Sequence, residues 1–566
     1  MQNRWVVKSQ ADQNLVSELA KKLNINPVLS SLLIQRGHDT YEKAKNYFRP
    51  SLNQLHDPFL MKDMDIAVTR IENAINNGEK ILVYGDYDVD GTTAVSLMYT
   101  FLKKRHDLVD FYIPDRYKEG YGISKQGIEW AHKNSFTLII ALDCGIKAID
   151  TIGYAKELGI DFIVCDHHRP GPKLPDAVAT LDPKRSDCEY PFKELCGCGV
   201  GLKLAQAYIL HTGSPTEEIE EYLDLVVVSI AADMVPIVGE NRTLAYYGLI
   251  RLNEHPRAGF RAILEVSKAQ RKLKINDIVF IIAPRINAAG RIESGKQAVQ
   301  LLVEPDYIKA YEHALSIDKK NTTRKGLNER ITIEAFEQIQ QDKEFGDKKS
   351  TVLYNPTWHK GVIGIVASKL IDEYYRPTIV LTKSNGMVSG SARSVKDFDV
   401  YNAIESCSEL LDQFGGHMYA AGLTMKEENV EVFKERFEEV VTQSIQEKML
   451  VREIEIDNIL SFSEITPSFF NILKQFEPFG PENMTPVFKA EEVYSEGNAR
   501  IVGKNHLKIQ LAQNQPHKKS FDSIGFNLGK FSEQVNGNKL NVCFNIEENH
   551  FRGRTALQLN IKDIVV

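Results

Sequence analysis

Four short apolar runs constrain this chain most: ILVY (81–84), LVDFYIP (108–114), TLIIAL (137–142) and DFIVC (161–165), with stretches of helical character between them. Buried β-rich runs alternating with helices predict a parallel α/β sheet. Three of the four runs end directly at polar clusters, GDYDVDG, DCG and DHH. In open α/β sheets ligands gather outside the carboxyl ends of the strands, so a site is expected along that edge.

The rest of the chain divides around this unit. At roughly 150 residues per domain, 566 residues suggest about four domains. Residues 1–60 read as small helices (SELAKKL, SLLIQRG, YEKAKNYF) and 61–255 as the α/β unit just described. Region 256–340 is connecting and helical, and its charged segment 317–340 predicts a long helix with few breakers. Region 341–450 is a second α/β unit, with runs at 351–354 and 377–382 around a helix that opens near 361. Residues 451–566 turn strand-like (HLKIQLA, SFDSIGFNL, KLNVCFNIEE, TALQLNI) with Gly and Asn turns, which predicts a small β-barrel.

Composition narrows the function classes. No run approaches 18 uncharged apolar residues, so no membrane-spanning helix is expected. MQNRWVVKSQ has no apolar core, so no secretory leader is expected either. Seven scattered cysteines suit a reducing cytoplasm better than a disulfide framework. Cys188, Cys196 and Cys198 lack paired C-x2-C knuckles, which favours buried thiols over a zinc site. A net charge of −7 argues against coating nucleic acid with the whole surface, but leaves room for a local basic channel.

Chemistry concentrates at the strand ends. In Gly85-Asp86-Tyr87-Asp88-Val89-Asp90-Gly91, three carboxylates stand at i, i+2 and i+4. Such density of negative charge is costly without a cation nearby, and hard divalent ions are the natural partners. The competing reading is a solvated acidic turn, or carboxylates capping the next helix. An EF-hand fits poorly, because loop position 12 is Leu97 where a Glu is needed. Asp143, the Asp166-His167-His168 triplet and Asp233 end further apolar stretches. Together they supply enough Asp and His for a two-metal site, with mixed ligation favouring Mn²⁺ and Mg²⁺ the abundant competitor.

The run from Gly85 to Gly91 and the Asp-His-His at 166–168 resemble the first and third motifs of the DHH phosphoesterase family. Four further segments are similar to its single-strand-specific 5′-exonuclease branch: Pro284–Arg291, Gly415–Gly422, Trp358–Ser368, and Pro114–Tyr117 with Gly120-Tyr121-Gly122. That resemblance covers residues 60–490 and implies a parallel-sheet catalytic domain, a DHH-associated domain and a C-terminal OB-fold. It implies two divalent ions, Mn²⁺ or Mg²⁺, held by Asp86, Asp88, Asp90, Asp143, His167 and Asp233. Related phosphatases carry a His where this chain has Tyr84, which makes Asp86 the substitute ligand. Asp143 and His168 are the implied catalytic residues, with His168 facing the scissile phosphate. Arg116, Ser391 and Arg393 are the implied 5′-phosphate contacts, the last two in a small-residue loop at 390–394. Arg285, Asn287, Arg291 and His417 would surround the nearby backbone.

The helix cations Lys319, Lys320, Arg324 and Lys325 could line a channel or simply form a solvated face. In the barrel, Lys504, His506, Lys508, Lys518, Lys519, Arg552 and Arg554 lie among Phe521, Phe526 and Phe551. Basic groups with aromatic platforms suit single strands, though each ring could equally be core. The implied activity is 5′→3′ degradation of single-stranded DNA to 5′-mononucleotides in repair and recombination. The implied partners are single-stranded DNA, a single-strand-binding protein and a RecQ-type helicase; a cytoplasmic monomer without membrane contact is expected. Two alternatives stand beside it: an oligoribonuclease or small-nucleotide phosphodiesterase of the same family, and a DNA-binding protein whose catalytic site has decayed.

Overall fold

The computed structural model describes residues 3–269, 271–514, 517–551 and 553–566, the side chain of Phe551 excepted. The chain opens with a strand, β1 (Arg4–Val7), followed by α1 (Gln13–Leu23), α2 (Pro27–Gln35) and α3 (Tyr41–Phe48). Asp12, Asn26 and Thr40 cap the three helices with side-chain oxygens, satisfying first-turn amides that have no partner within the helix.

The five-stranded parallel sheet follows α4 (Met64–Asn76). Its strands are β2 (Lys80–Gly85), β3 (Val109–Tyr112), β4 (Phe136–Leu142), β5 (Asp161–Cys165) and β6 (Ala179–Leu181). All pairings are parallel, in the order β3-β2-β4-β5-β6. Alternation sorts the side chains of β2. Ile81 and Val83 pack with α5 (Val89–Lys103), whereas Leu82 and Tyr84 pack with α6 (Lys125–Lys133) and α7 (Ile149–Glu157). The same core takes in α8 (Gly197–Thr212), α9 (Leu223–Ala232) and α10 (Gly239–Glu254). β3 lies on one side of β2 and β4 on the other, so the chain reverses direction across the sheet at β2/β4. That switch point is where a crevice opens at the carboxyl edge.

The connecting region holds α11 (Ala258–Val266), the single turn α12 (Ile275–Asp277), a π-helical turn at 278–282, α13 (Ala283–Ile292), α14 (Lys296–Val303) and α15 (Tyr307–Gln341). The long helix starts ten residues before the charged segment that announces it, capped by the Asp306 side chain.

The second α/β unit contains β7 (Thr351–Tyr354), α16 (Ile363–Glu373), β8 (Thr378–Ser384), β9 (Met387–Arg393), α17 (Val400–Glu405), β10 (Gln413–His417), β11 (Ala420–Met425) and α18 (Val430–Ser444). Its order is β10-β11-β9-β8-β7, with β7–β8 parallel and the others antiparallel. Residues 390–393, expected as a small-residue loop, are the end of the central strand β9. They are small because strands flank them on both sides and α16 crosses them closely, not because the chain turns there.

Beyond β12 (Glu453–Ile456), β13 (Asn458–Ile459) and α19 (Pro467–Leu473), the strands β14 (Phe488–Ser495), β15 (Arg500–Val502), β16 (His506–Gln513), β17 (Lys519–Gly525), β18 (Lys539–Phe551) and β19 (Arg554–Val565) form the C-terminal sheet. It runs β13-β14-β18-β19-β17-β16-β15, and a β14–β16 pairing closes it on itself. β1 pairs in parallel with β12, so the N-terminal region is strand-anchored as well as helical.

Candidate metal centre

The loop after β2 is the foundation. Asp86 leaves the strand fully buried, and neither of its carboxylate oxygens has a hydrogen-bond partner among the described residues. Asp88 caps α5, accepting from the Gly91 amide at 3.0 Å, so the capping reading of the acidic run is correct for this one residue. Asp90, in the first turn of α5, accepts from the amides of Gly197 and Cys198, both at 2.7 Å, and from the Ser229 hydroxyl at 2.6 Å. It thus ties α5 to α8 and α9. Seating α8 so close demands a glycine at 197, where a Cβ would lie 2.6 Å from that of Asp143.

Asp143 leaves β4 in the left-handed backbone region at φ 59°, a strained choice for a non-glycine residue. It is 2% exposed, and its Oδ1 accepts no hydrogen bond. His167, beyond β5, brings its Nε2 to 3.2 Å from Asp143 Oδ1, 3.6 Å from Asp233 Oδ2 and 3.7 Å from Asp90 Oδ2. Asp233 itself caps the carboxyl end of α9 and remains partly exposed. Two groups of potential ligands share His167: Asp143 with His168, and Asp90 with Asp233. No cysteine belongs to either among the described residues, and all seven thiols are free and buried.

The electrostatics of these residues favour a bound cation. Burial pushes the Asp86 carboxyl up to about 8, and the neighbouring Asp88 adds to it. Asp233 is also raised to about 8 by burial, then by Asp90 and Asp88. Burial raises Asp143 well above the carboxylate range, with Asp90, Asp88 and Asp233 reinforcing it. Charged carboxylates packed so densely are stable only with positive charge among them. Orphaned oxygens on Asp86 and Asp143, beside an imidazole facing three carboxylates, fit divalent metal ions of mixed O/N preference.

His168 is differently placed. Its Nδ1 meets Asp166 Oδ1 at 2.7 Å, while its Nε2 lies 3.3 Å from the Tyr121 hydroxyl. Burial opposes a charge on the ring, but the Asp166 hydrogen bond and nearby carboxylates outweigh it and raise His168 to about 9. Asp166 also accepts from the amides of Ile146, His167 and His168, which fix the loop. Sequence reasoning gave Tyr121 no role, yet its hydroxyl also donates to the Asp143 carbonyl at 3.2 Å; the Gly-Tyr-Gly setting was its signal. Tyr84, found where related phosphatases have a His, points away from the acids. Its buried hydroxyl donates to the Gly122 carbonyl and accepts from the Ser124 amide, anchoring the loop that carries Tyr121.

Beside the acids lies a cluster of arginines. Arg116 stacks over the Tyr87 ring at 4.9 Å, and α13 packs on the same loop, Gly290 against the Tyr87 carbonyl. Arg291 donates to the Gly361 carbonyl at 3.0 Å, bridging to the second α/β unit. Burial, then Arg116, Arg324 and Arg393, lowers Arg291 to about 10. Arg393 donates to Ser391 Oγ at 3.1 Å and to the Ala392 carbonyl at 2.7 Å. These four arginines form no ion pair with the described residues, and Lys360 is lowered by burial and by Arg116. Converging cations without counter-charge form an anion site.

Other expected contacts are placed differently. Arg285 is buried and bound to Asp318 at 2.9 Å and to the Ile281 carbonyl at 2.7 Å, so it fastens α13 to α15. Asn287 is half-buried with no side-chain bond to the described residues, and His417 is exposed at the end of the edge strand β10. Lys320 pairs with Glu293. In the barrel, Lys508 and Lys518 pair with Asp522 and Glu496. Phe521 is core and Phe526 is 52% exposed. Arg552 and the Phe551 side chain lie outside the described residues.

Three family profiles match the chain: "DHH family, N-terminal domain" over 80–230, "DHHA1 domain" over 347–443, and "RecJ OB domain" over 456–563. The single-stranded-DNA-specific exonuclease RecJ of Bacillus subtilis is 39% identical over all of this chain and 71% of its own length. RecJ of Salmonella typhimurium is 32% identical over all of this chain and 99% of its own. The crystal structure of RecJ from Thermus thermophilus with Mn²⁺ superposes with a TM-score of 0.85 at 28% identity, covering 100% of this chain and 79% of that one. The Mg²⁺ complex of the same protein gives a TM-score of 0.78 at 27% identity, covering 99% and 78%.

Proposed function

Because the chain belongs to the RecJ family of single-stranded-DNA-specific exonucleases, we propose that it removes 5′-mononucleotides from single-stranded DNA in the 5′→3′ direction. The observation that carries this reading is the adjacency of two opposite sites. Orphaned carboxylates wait for cations at the β2/β4 switch point, and unpaired arginines wait for an anion beside them. Asp90, Asp143, His167 and Asp233, which cluster closely, together with Asp86 and Asp88 of the same loop, would hold two divalent ions, Mn²⁺ or Mg²⁺, which would supply Lewis acidity to the phosphodiester.

The chain's own residues do the rest. Arg116, Arg291, Ser391 and Arg393 grip the terminal 5′-phosphate and thereby place the next phosphodiester at the acids. Asp166 holds His168 charged and oriented, so that Nε2 delivers a proton to the departing 3′ oxygen. Water attacks phosphorus, the P–O3′ bond breaks, and the shortened strand keeps a 5′-phosphate. Each turnover therefore regenerates the end that the arginines recognise. Residues 61–255 act as the catalytic part, 341–450 as the end-gripping part and 451–566 as the strand-holding barrel. A cytoplasmic location suits the seven free thiols, and no described helix is long and apolar enough to cross a membrane. A single-strand-binding protein and a RecQ-type helicase are the proposed sources of the strand.

Rates on long single strands, duplexes and dinucleotides, compared in Mn²⁺ and Mg²⁺, test the reading. Mononucleotide release from the 5′ end of long single strands is expected. Preference for dinucleotides would transfer the assignment to the small-nucleotide branch of the wider family.

A further inference from the structure

A cavity of about 280 Å³ lies at the junction of the N-terminal helices, the start of α10 and the 480–484 turn that precedes the barrel. None of the metal-centre acids or imidazoles lines it; its walls include Arg36, Lys43, Arg242 and the first residues of α10. Arg242 is only 5% exposed. Its guanidinium stacks on the Tyr47 ring at 3.7 Å and donates only to carbonyls, those of Tyr47, Gln475 and Glu477. Its Nε is buried without a partner. Arg36 donates to the Met484 carbonyl at 2.8 Å, and its Nη1 is likewise buried and unpartnered.

Neither guanidinium forms an ion pair with any described residue. Two such charges facing one another are costly to bury without a counter-charge, and Arg36 depresses Arg242 further. The nearby acid Glu240 is already engaged by the Lys203 ammonium, the Tyr190 hydroxyl and the His56 amide. Glu482 stands exposed at the rim. The helix adds to the demand for an anion. Val238, at the N-cap of α10, offers no side-chain oxygen, and the Glu240 carboxylate in the first turn offsets part of the helix's positive end while being held by Lys203, Tyr190 and His56.

We infer that this cavity binds a phosphate group, carried by a small molecule such as a mononucleotide or present as free phosphate. Arg36, Arg242 and the amino end of α10 form the anion cradle. Lys43, paired with Asp39 at 2.8 Å, contributes from the edge. The volume lies near the lower end for ligand pockets, which fits a single phosphorylated small molecule and not a strand. The site is independent of the nuclease reading.

The test uses the full chain in an Asp143→Ala, Arg393→Ala background with EDTA, which weakens phosphate binding at the acids and the arginine cluster, so only the binding that Arg36→Met changes is assigned to the cavity. Inorganic phosphate and dTMP are titrated at constant ionic strength in chloride, read by calorimetry and thermal shift. Saturable binding is expected, weakened about tenfold or more by Arg36→Met, the scale of one lost charge-assisted hydrogen bond. Tighter binding of dTMP identifies a nucleotide as occupant, and equal binding identifies free phosphate. Should Arg36→Met fail to fold, Glu482→Lys adds a cation at the rim and is expected to tighten binding. No saturable response beyond chloride, or affinity unchanged in the folded variants, would overturn the inference.

Discussion

Asp166 and His168 form a pair in which the carboxylate sets the charge and direction of the ring, and in the proposed reaction that ring meets the substrate. Asp166→Asn keeps the shape but removes the charge, so its cleavage rate is expected to fall about 10²–10⁴-fold, the usual contribution of a positioned acid. Single-strand affinity, measured by fluorescence anisotropy, should hardly change; a matching loss of affinity would show a general structural role. Tyr121→Phe removes one neutral hydrogen bond and is expected to cost only a few-fold, about 0.5–1.5 kcal/mol. His38 gives a pH prediction away from the acids. Burial, then Arg242, Arg36 and Lys43, lowers it to about 4, with Asp39 opposing. The unfolded chain therefore takes up this proton near 6.5 and the folded chain only near 4, so its contribution to stability is lost as pH falls through that window. A His38→Gln variant should lose less Tm between pH 6.5 and 4 than wild type. The acids were legible at this scale because their spacing after strands is local. Which arginines lack a partner was not: Arg285 and Arg291 share one helix, yet only the fold gives Arg285 its Asp318.

At the scale of elements, a glycine decides whether the arginine grip can form. A Cβ at Gly364 of α16 would lie 2.8 Å from Ser391 Oγ and 2.9 Å from Arg393 Nη2. Gly364→Ala should therefore push the arginine aside and erase the preference for 5′-phosphate over 5′-hydroxyl ends, as Arg393→Ala should do directly. Competition between the two substrates checks it; equal loss on both ends would refute the role. The alternation of apolar runs and helices made the parallel sheet readable, and the glycine turns made the barrel readable. The four-residue strand β1 was not, because its reason for existing is β12, some 450 residues away. The segment at 390–393 misled for a related reason: small residues mark either a turn or a close crossing, and only the packing of α16 distinguishes them.

Over the whole molecule, charge is sorted and not balanced. The net −7 conceals an acid cluster and an arginine cluster side by side, and neither is visible in the total. The chain ends also meet. β1 lies along β12, Trp5 Nε1 donates to Asp563 at 2.9 Å, and Lys8 reaches Asp457 at 3.0 Å. Deleting residues 1–8 should lower the Tm and loosen the barrel, measured by calorimetry and hydrogen exchange in β12, with dinucleotide cleavage less affected than long-strand degradation. Uptake of divalent ions by the strand-end acids is what would turn the cluster into a nuclease. The most direct measurement follows mononucleotide release from a 5′-phosphorylated single strand, for wild type and Asp143→Ala, with Mn²⁺ and with EDTA. Wild type is predicted to release mononucleotides with Mn²⁺ and none with EDTA, and Asp143→Ala to lose at least about 10²–10³-fold while still binding the strand. Cleavage that persists in EDTA, or an Asp143→Ala protein as fast as wild type, would contradict that claim.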